Sequence, residues 1–331
     1  MPEKKKARNI LFITSTRIGD AILSTGILNH LITENKGAKV TVVCGEVAEP
    51  LFAVVPNLEK VIVMRKQKFS LHWFKLWRKI VFRKWDIVVD LRRSLISYLI
   101  LSKKRYTLAK SKEKKHRVEE IAGVIGMKDV PPNPFIWLAK DHRYAAEKRM
   151  YNVKNVLALA PASNWKAKTW DIENFIAIAN KITGKGGFLE DAYVAVFAAE
   201  SERSSIKPLL KAIPSNRLID CAGGASLLTV CACLEKCDFF IGNDSGLMHM
   251  AAATGVLTLG LFGPTDERLY APWGDRAAIV RTKTPFAEIF PENFNHRTSG
   301  SLMDSLTVEM VEDKAWELWN KYHKKPVRSF S

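Results

Sequence analysis

The chain has 331 residues, 47% of them apolar, with 51 Lys/Arg against 34 Asp/Glu and a formal net charge of +17. That length suits two domains of about 150 residues, each with its own core. The charge excess points to an anionic partner, whether nucleic acid, membrane surface or phosphorylated substrate, while no apolar window is long enough to span a bilayer.

The N-terminal "MPEKKKARNILFITSTRIGD" is basic and then apolar, like the start of a signal peptide. Its apolar run, Ile10–Ile13, is too short for a signal core and suits a buried strand. After it, strands and helical patterns alternate. "GDAILSTGILNHLITEN" spaces Ile22, Leu23, Ile27, Leu28 and Leu31 for a helix, and "AKVTVVCG", "KVIVM" and "DIVVDL" read as strands. "VAEPLFAVVP" reads as a short helix and "SLHWFKLWRKIVFRK" as a longer one. Unbroken apolar strands separated by helices argue a parallel sheet covered on both faces. Between Ser102 and Asn152 the pattern weakens, charge is dense and "VPPNP" interrupts the chain. A second series then runs from "NVLALAP" to "AAIVRT", and a final helix spans about Thr307 to Tyr322. The expected fold class is α/β, two doubly wound Rossmann-like domains facing a central cleft. Residues 1–150 form the first domain and residues 151–331 the second, and the last helix can pack back on the first domain. Cys231, Cys233 and Cys237 lack a second ligand group at zinc spacing, so they read as core cysteines in a reducing compartment.

Open α/β sheets bind ligands beyond the carboxyl ends of their strands, so the strand-to-helix turns carry the functional expectations. The first is "TSTRIGD", where Asp20 is either a helix cap or a general base. It has one Gly and no dinucleotide fingerprint. The second, "APASNWKAKTWD", offers Ser163, Asn164, Lys166 and Lys168, groups suited to phosphate oxygens. In the third, Glu200 follows a strand and is placed either to cap the next helix or to accept from a ribose hydroxyl. The fourth, "GNDSG", puts the amides of Ser245, Gly246 and Leu247 at a helix N-terminus, a ready anion site. Asp244 would repel phosphate, so it caps the helix or meets a neutral sugar hydroxyl. His249 lies one turn further in, and Thr265 sits in the next turn, "LFGPTD".

At these turns the sequence resembles glycosyltransferase family 9, the lipopolysaccharide heptosyltransferases. The resemblance is carried by "ILFITSTRIGDAILSTGIL", "WDIVVDLRRSLIS", "ALAPASNWKAKTWDIENFIAIA" and, most specifically, "FFIGNDSGLMHMAAATGVLTLGLFGPTD". It implies the GT-B fold and an inverting, metal-independent transfer of heptose from ADP-heptose to the inner core (Kdo/heptose) of a lipopolysaccharide precursor. The first domain would then bind acceptor and the second nucleotide sugar. Asp20 matches the proposed base and Lys168 the residue on the donor phosphates. Ser163 and Asn164 match diphosphate contacts, Glu200 the ribose acid, and Asp244, Ser245, Gly246 and His249 the sugar and phosphate turn, with Thr265 beside it. Arg93 stands where many members have Gly, and residues 102–150 resemble the family only loosely. No cofactor and no metal are expected, and no D-x-D occurs in the chain.

Residues 65–120 carry about 18 Lys/Arg against about 5 Asp/Glu. Here "FSLHWFKLWRKIVFRKW" interleaves aromatics with cations, which reads either as an interfacial element on an anionic membrane or as a helix packing its aromatics on the sheet. Arg92, Arg93, Lys103, Lys104 and Arg105 are the candidate acceptor and membrane contacts. The expected partners are a nucleotide-sugar donor, an anionic glycolipid acceptor and the cytoplasmic face of the inner membrane, the protein being cytoplasmic and peripheral, with no nucleic acid. The rival readings are the same fold with another donor or acceptor, an inactive transferase-like scaffold, and a basic nucleic-acid-binding protein. The ordered turns argue against the last, and Asp20 and Lys168 against the scaffold.

Overall fold

The computed structural model of the chain describes residues 8–109, 113–295 and 299–323. The basic run before Arg8, and Lys110 and Lys112 of the basic stretch, lie outside them. The chain divides into two compact units after Ala139.

The N-terminal unit contains β1 (Asn9–Ile13), α1 (Ile18–Glu34), β2 (Lys39–Gly45), β3 (Leu58–Met64), α2 (Leu71–Ile80), β4 (Trp85–Asp90), β5 (Ser102–Thr107) and α3 (Arg117–Gly123). Its five strands are all parallel, in the order β3-β2-β1-β4-β5. The apolar runs of β1, β2 and β4 are buried because both sheet faces are covered. α1 is buried over most of its circumference, and "VPPNP" explains part of this. Its backbone lies so close to Gly26 that a Cβ there would come within 2.3 Å of the Pro132 carbonyl oxygen. Phe135 N–H donates to Thr25 Oγ1 at 2.8 Å. A segment that reads as a break is therefore a strap across a helix. β5, "SKKRYT", does not show in the sequence pattern because it is an edge strand with exposed basic side chains, a device that discourages edge-to-edge pairing.

The C-terminal unit contains α4 (Lys140–Arg149), β6 (Val156–Ala160), α5 (Ile172–Thr183), β7 (Tyr193–Ala198), α6 (Arg203–Ala212), β8 (Leu218–Ala222) and α7 (Leu227–Leu234). It continues with β9 (Phe239–Asn243), α8 (Gly246–Thr254), β10 (Leu257–Phe262), α9 (Glu267–Tyr270), β11 (Ala277–Arg281) and α10 (Val308–His323). Its six parallel strands take the order β11-β10-β9-β6-β7-β8. The division falls before α4, not near 150. α4 packs on α7, buries Ala146, and ties Arg143 to Glu235 at 2.9 Å and Glu147 to Lys236. α10 packs on α5, β10 and β11, and Val311, Ala315 and Leu318 join the core of the C-terminal unit.

All five cysteines are free and buried, as core residues. Burial pushes the Cys44 and Cys231 thiols up to about 12. Among the described residues no helix is long and apolar enough to cross a membrane, and no three His, Cys, Asp or Glu side chains are grouped to hold a metal ion.

Candidate active site

In the C-terminal unit the chain runs β6, β7, β8 outward on one side, then returns to place β9 against the other side of β6. The turns after β6 and β9 therefore diverge at a topological switch point, where open α/β sheets leave a crevice for ligand. Lys168 comes from the first turn and Asp244 from the second. Lys168 Nζ donates to Asp244 Oδ2 at 3.2 Å, with the two side chains only 13% and 9% exposed. Asp244 is thus a partner for Lys168 and not a helix cap. The N-cap of α8 is Ser245, whose side chain caps nothing.

Asn243, which the sequence reading passed over, holds this arrangement together. It is fully buried at the end of β9. Its Nδ2 donates to the Pro161 carbonyl at 2.7 Å and its Oδ1 accepts from Trp170 N–H at 3.1 Å, so one amide clamps both ends of the Lys168 loop. Within the loop, Ser163 Oγ donates to the Trp165 carbonyl at 2.8 Å and lies 2.9 Å from Thr169 Oγ1. Ser163 thereby shapes the turn, while Asn164 is exposed. The signal for Asn243 was its place beside "DSG" at a strand end, where a buried amide has carbonyl and N–H groups to satisfy.

Ser245 Oγ and Thr265 Oγ1 are buried and accept or donate no hydrogen bond. They come from the turns after β9 and β10, neighbouring strands whose register pairs Asn243 with Leu261. Leaving a buried hydroxyl unmatched costs about 1–3 kcal/mol, and a bound ligand is one way to satisfy such a group. Gly246 is the first residue of α8, and His249 is buried one turn in. Glu200 stands beyond β7, the strand next to β6, and is exposed. Its carboxylate lies over Gly223, where a Cβ would come within 1.8 Å of Oε2. Gly223 (φ 69°) and Gly224 (φ 65°) adopt left-handed backbone there, which suits glycine.

The N-terminal unit repeats the layout, with β1 between β2 and β4 and a switch point between β1 and β4. Asp20 lies in the first turn of α1, three residues past the N-cap Arg17, so it is not the cap. It accepts a long hydrogen bond, 3.5 Å, from Ser15 Oγ. The turn before it is braced by Gly45. Gly45 N–H donates to the Ser15 carbonyl at 3.2 Å, and a Cβ on Gly45 would meet Thr16 Cα at 2.5 Å. Across the switch point, Asp90 is fully buried and already engaged. It accepts from Arg92 N–H, Ser94 N–H and Ser94 Oγ at 2.8, 3.0 and 2.5 Å.

The basic candidates divide by what they touch. Arg93 sits at φ 55°, which explains why glycine suits this position, and pairs with Glu120 at 3.0 Å. Arg92 lies over the Trp73 ring at 5.8 Å. Arg105 is committed locally, donating to the carbonyls of Ser97 (2.6 Å) and Ile100 (3.1 Å). Lys103 pairs with Asp86 at 2.7 Å, and that hydrogen bond holds the Asp86 carboxyl below the usual carboxylate range. Lys104 is exposed.

Comparison with known proteins bears on the family and the fold. The model of the family described as glycosyltransferase family 9 (heptosyltransferase) matches residues 118–292, more than half of the chain. The chain is similar to lipooligosaccharide heptosyltransferase 2 of Haemophilus influenzae, 23% identical over 95% of this chain and 100% of that protein. Among solved structures it is similar to a glycosyl transferase family 9 protein from Veillonella parvula, with a TM-score of 0.73 and 20% identity over 95% of this chain and 97% of that one. It is likewise similar to the Escherichia coli ADP-heptose lps heptosyltransferase II, with a TM-score of 0.70 and 18% identity over 95% and 99%. These structural likenesses give the fold, two Rossmann-like units of the GT-B class.

Proposed function

We propose a reaction for this chain from one premise: it belongs to glycosyltransferase family 9, the heptosyltransferases, and is a glycosyltransferase. The reaction is transfer of a heptose from ADP-heptose to the inner core of a lipopolysaccharide precursor, a Kdo or heptose hydroxyl, with inversion and without a metal ion. The observation that supports it most is the β6/β9 switch point, where a largely buried Lys168 is presented by Asp244 and two buried hydroxyls lack partners.

In this reading the diphosphate lies at Lys168 and the N-terminus of α8. Nζ carries three protons, so one bond to Asp244 leaves two for phosphate oxygens. Asp244 orients the ammonium, while Ser245 Oγ, Thr265 Oγ1 and the amides of Gly246 and Leu247 supply further donors at the positive end of the helix. Ser163 and Asn164 belong to the same loop, His249 backs the turn, and Glu200 over Gly223 receives ribose hydroxyls. Asp20 takes the proton from the acceptor hydroxyl as its oxygen attacks the anomeric carbon. The bond from that carbon to the diphosphate breaks, and the charge developing on the leaving ADP is stabilised by Lys168 and the helix amides. Asp20 suits the base role better than Asp90, whose lone pairs are already engaged by the backbone and Ser94. The acceptor is read as an anionic glycolipid met at the cytoplasmic face of the inner membrane.

The test is thermal stabilisation by ADP, UDP, GDP and dTDP, each with and without magnesium, on the wild type and on Lys168→Met. The expected result is a shift for ADP, independent of magnesium and lost in the variant. A shift for another nucleotide alone would discard the ADP-heptose donor, and no shift with any of the four would overturn the donor site.

A further inference from the structure

We infer that the outer face of α2, with the basic cavity beside it, is a docking surface for the phosphate headgroups of an anionic phospholipid bilayer. The inference deepens the proposed function by giving the N-terminal unit its surface, and rests on that reading only for the acceptor being a lipid.

α2 has one face for the sheet. Trp73, Leu76, Trp77 and Ile80 recur at helical spacing and pack on the unit's core. The opposite face of such a helix is ordinarily polar. Here it carries Leu71 and Phe74 beside Lys75, Arg78 and Lys79, all exposed. Phe74 is 56% exposed, and Phe69 and Phe82, at the two ends of the helix, are each 94% exposed. Phe69 is held outward by consecutive left-handed residues, φ 54° and then 57° at Ser70, a backbone that side-chain-bearing residues avoid. The apolar patch continues onto the segment after β4. Trp77, which stacks on Phe74 at 5.9 Å, donates from Nε1 to the Leu99 carbonyl at 3.1 Å, and Leu95, Leu99 and Leu101 are exposed there. Several large apolar side chains turned to solvent on one element mark an interaction surface rather than scattered exposure.

The charge around the patch selects its partner. From Arg65 to Trp85 the sequence has eight Lys/Arg and no Asp/Glu. Between β3 and α2 lies a cavity of about 150 Å³ whose lining includes Arg65, His72, Lys75 and Lys79 and no carboxylate. His72 Nδ1 accepts from Gln67 N–H at 3.4 Å, which leaves its Nε2 to carry the proton and donate. Arg65 is paired with Glu46 at 2.6 Å. Exposed phenylalanines flanked by cations, with a basic cavity beside them, match a bilayer surface, where rings enter the headgroup boundary and ammonium groups meet phosphates. A protein partner would supply discrete carboxylates to discrete cations, whereas a continuous basic field mixed with apolar wedges suits a fluid anionic plane.

Flotation with vesicles tests this. The full chain is mixed with phosphatidylcholine vesicles, or with the same vesicles containing phosphatidylglycerol, between about 0.05 and 0.3 M salt. The wild type is expected to float with the anionic vesicles and to lose binding steeply as salt rises. Phe69→Ser/Phe74→Ser should bind at least about tenfold more weakly, because each ring contributes burial in the interface. Lys75→Glu/Lys79→Glu should abolish the preference for anionic lipid. All four positions are solvent-facing, and a melting temperature like the wild type's shows that the variants are folded. Equal flotation of the wild type with both vesicle types, or of the charge-reversed variant with anionic vesicles, would overturn the inference. So would unchanged flotation of the Phe variant with inorganic phosphate displacing the wild type, which would leave an anion pocket only. Nucleotide stabilisation measured on the same proteins reads the donor site separately, so failure of one proposal is not mistaken for failure of the other.

Discussion

Replacing Lys168 with Met separates what the Lys168–Asp244 pair does for the fold from what it does for the donor. At 3.2 Å and an effective dielectric of about 20, the two charges attract by about 5 kcal/mol before desolvation is subtracted. With side chains only 13% and 9% exposed, desolvation is large, and the net worth of the pair is small. Removing one partner is different, because Asp244 then stays in the crevice without its counter-charge, at a cost of about 3–5 kcal/mol. The unit is about 190 residues long, where about 1 kcal/mol moves the melting temperature by about 2–4 °C. Lys168→Met should therefore melt about 6–20 °C below the wild type. Lys168→Met/Asp244→Asn removes both charges and should recover most of that loss, since neither variant alone leaves a matched site. Nucleotide binding should not recover with it, because the ammonium is still missing. Melting by circular dichroism gives the first quantity and the ADP-induced shift the second. A double variant as unstable as the single one would show that the pair does not explain the stability. A double variant that binds ADP like the wild type would remove Lys168 from the donor site.

The remaining expectations come from single atoms. Ser245→Ala deletes a buried hydroxyl with no partner, so the melting temperature should hold or rise slightly, while ADP affinity falls about tenfold through one lost charge-assisted hydrogen bond; lower stability with unchanged affinity would contradict the assignment. Burial raises the Cys44 and Cys231 thiols to about 12, so at pH 8 roughly one in ten thousand is thiolate. An aromatic disulfide reagent should label both only slowly in the native protein at pH 8 and readily once it is unfolded; rapid native labelling at pH 8 would count against their burial.

The sequence was most readable where a turn joins a strand of unbroken apolar residues to a helix. Unbroken apolar runs placed β1, β2, β4 and β9, and small polar residues marked the turns after β1 and β9. Asp20, Lys168 and Glu200 stood out because they follow strand ends and their residue types suit the proposed chemistry. Their supports were harder to see. Asn243 acts through two backbone groups far away in sequence, Pro161 and Trp170, and no spacing rule encodes that contact. Gly45 matters only because Thr16 passes over it. β5 escaped because a sheet edge does not need an apolar run, and its Lys103, Lys104 and Arg105 read as a charge cluster instead. The boundary was misplaced for a related reason. α4 is polar over most of its surface and joins its unit through Ala146 and ion pairs with the α7 end.

The two switch points differ in how they treat their carboxylates, and the difference bears on chemistry. In the C-terminal unit Asp244 is kept beside a cation, so the pair's local charge is near zero and the ammonium keeps N–H groups that the proposed diphosphate would accept from. An unpaired lysine would bind phosphate more strongly but would carry the cost of an isolated charge in the crevice at all other times. In the N-terminal unit the buried Asp90 holds the β4 turn with three short hydrogen bonds, while Asp20 accepts a long one and sits half-buried in the first turn of α1. A carboxylate whose lone pairs are filled by its own backbone cannot accept a proton from a substrate without breaking the turn. Asp20, with only one long hydrogen bond, has lone pairs left for one. One aspartate in each unit thus fixes a turn or a cation, while Asp20 keeps acceptor capacity, which is what the proposed base role requires.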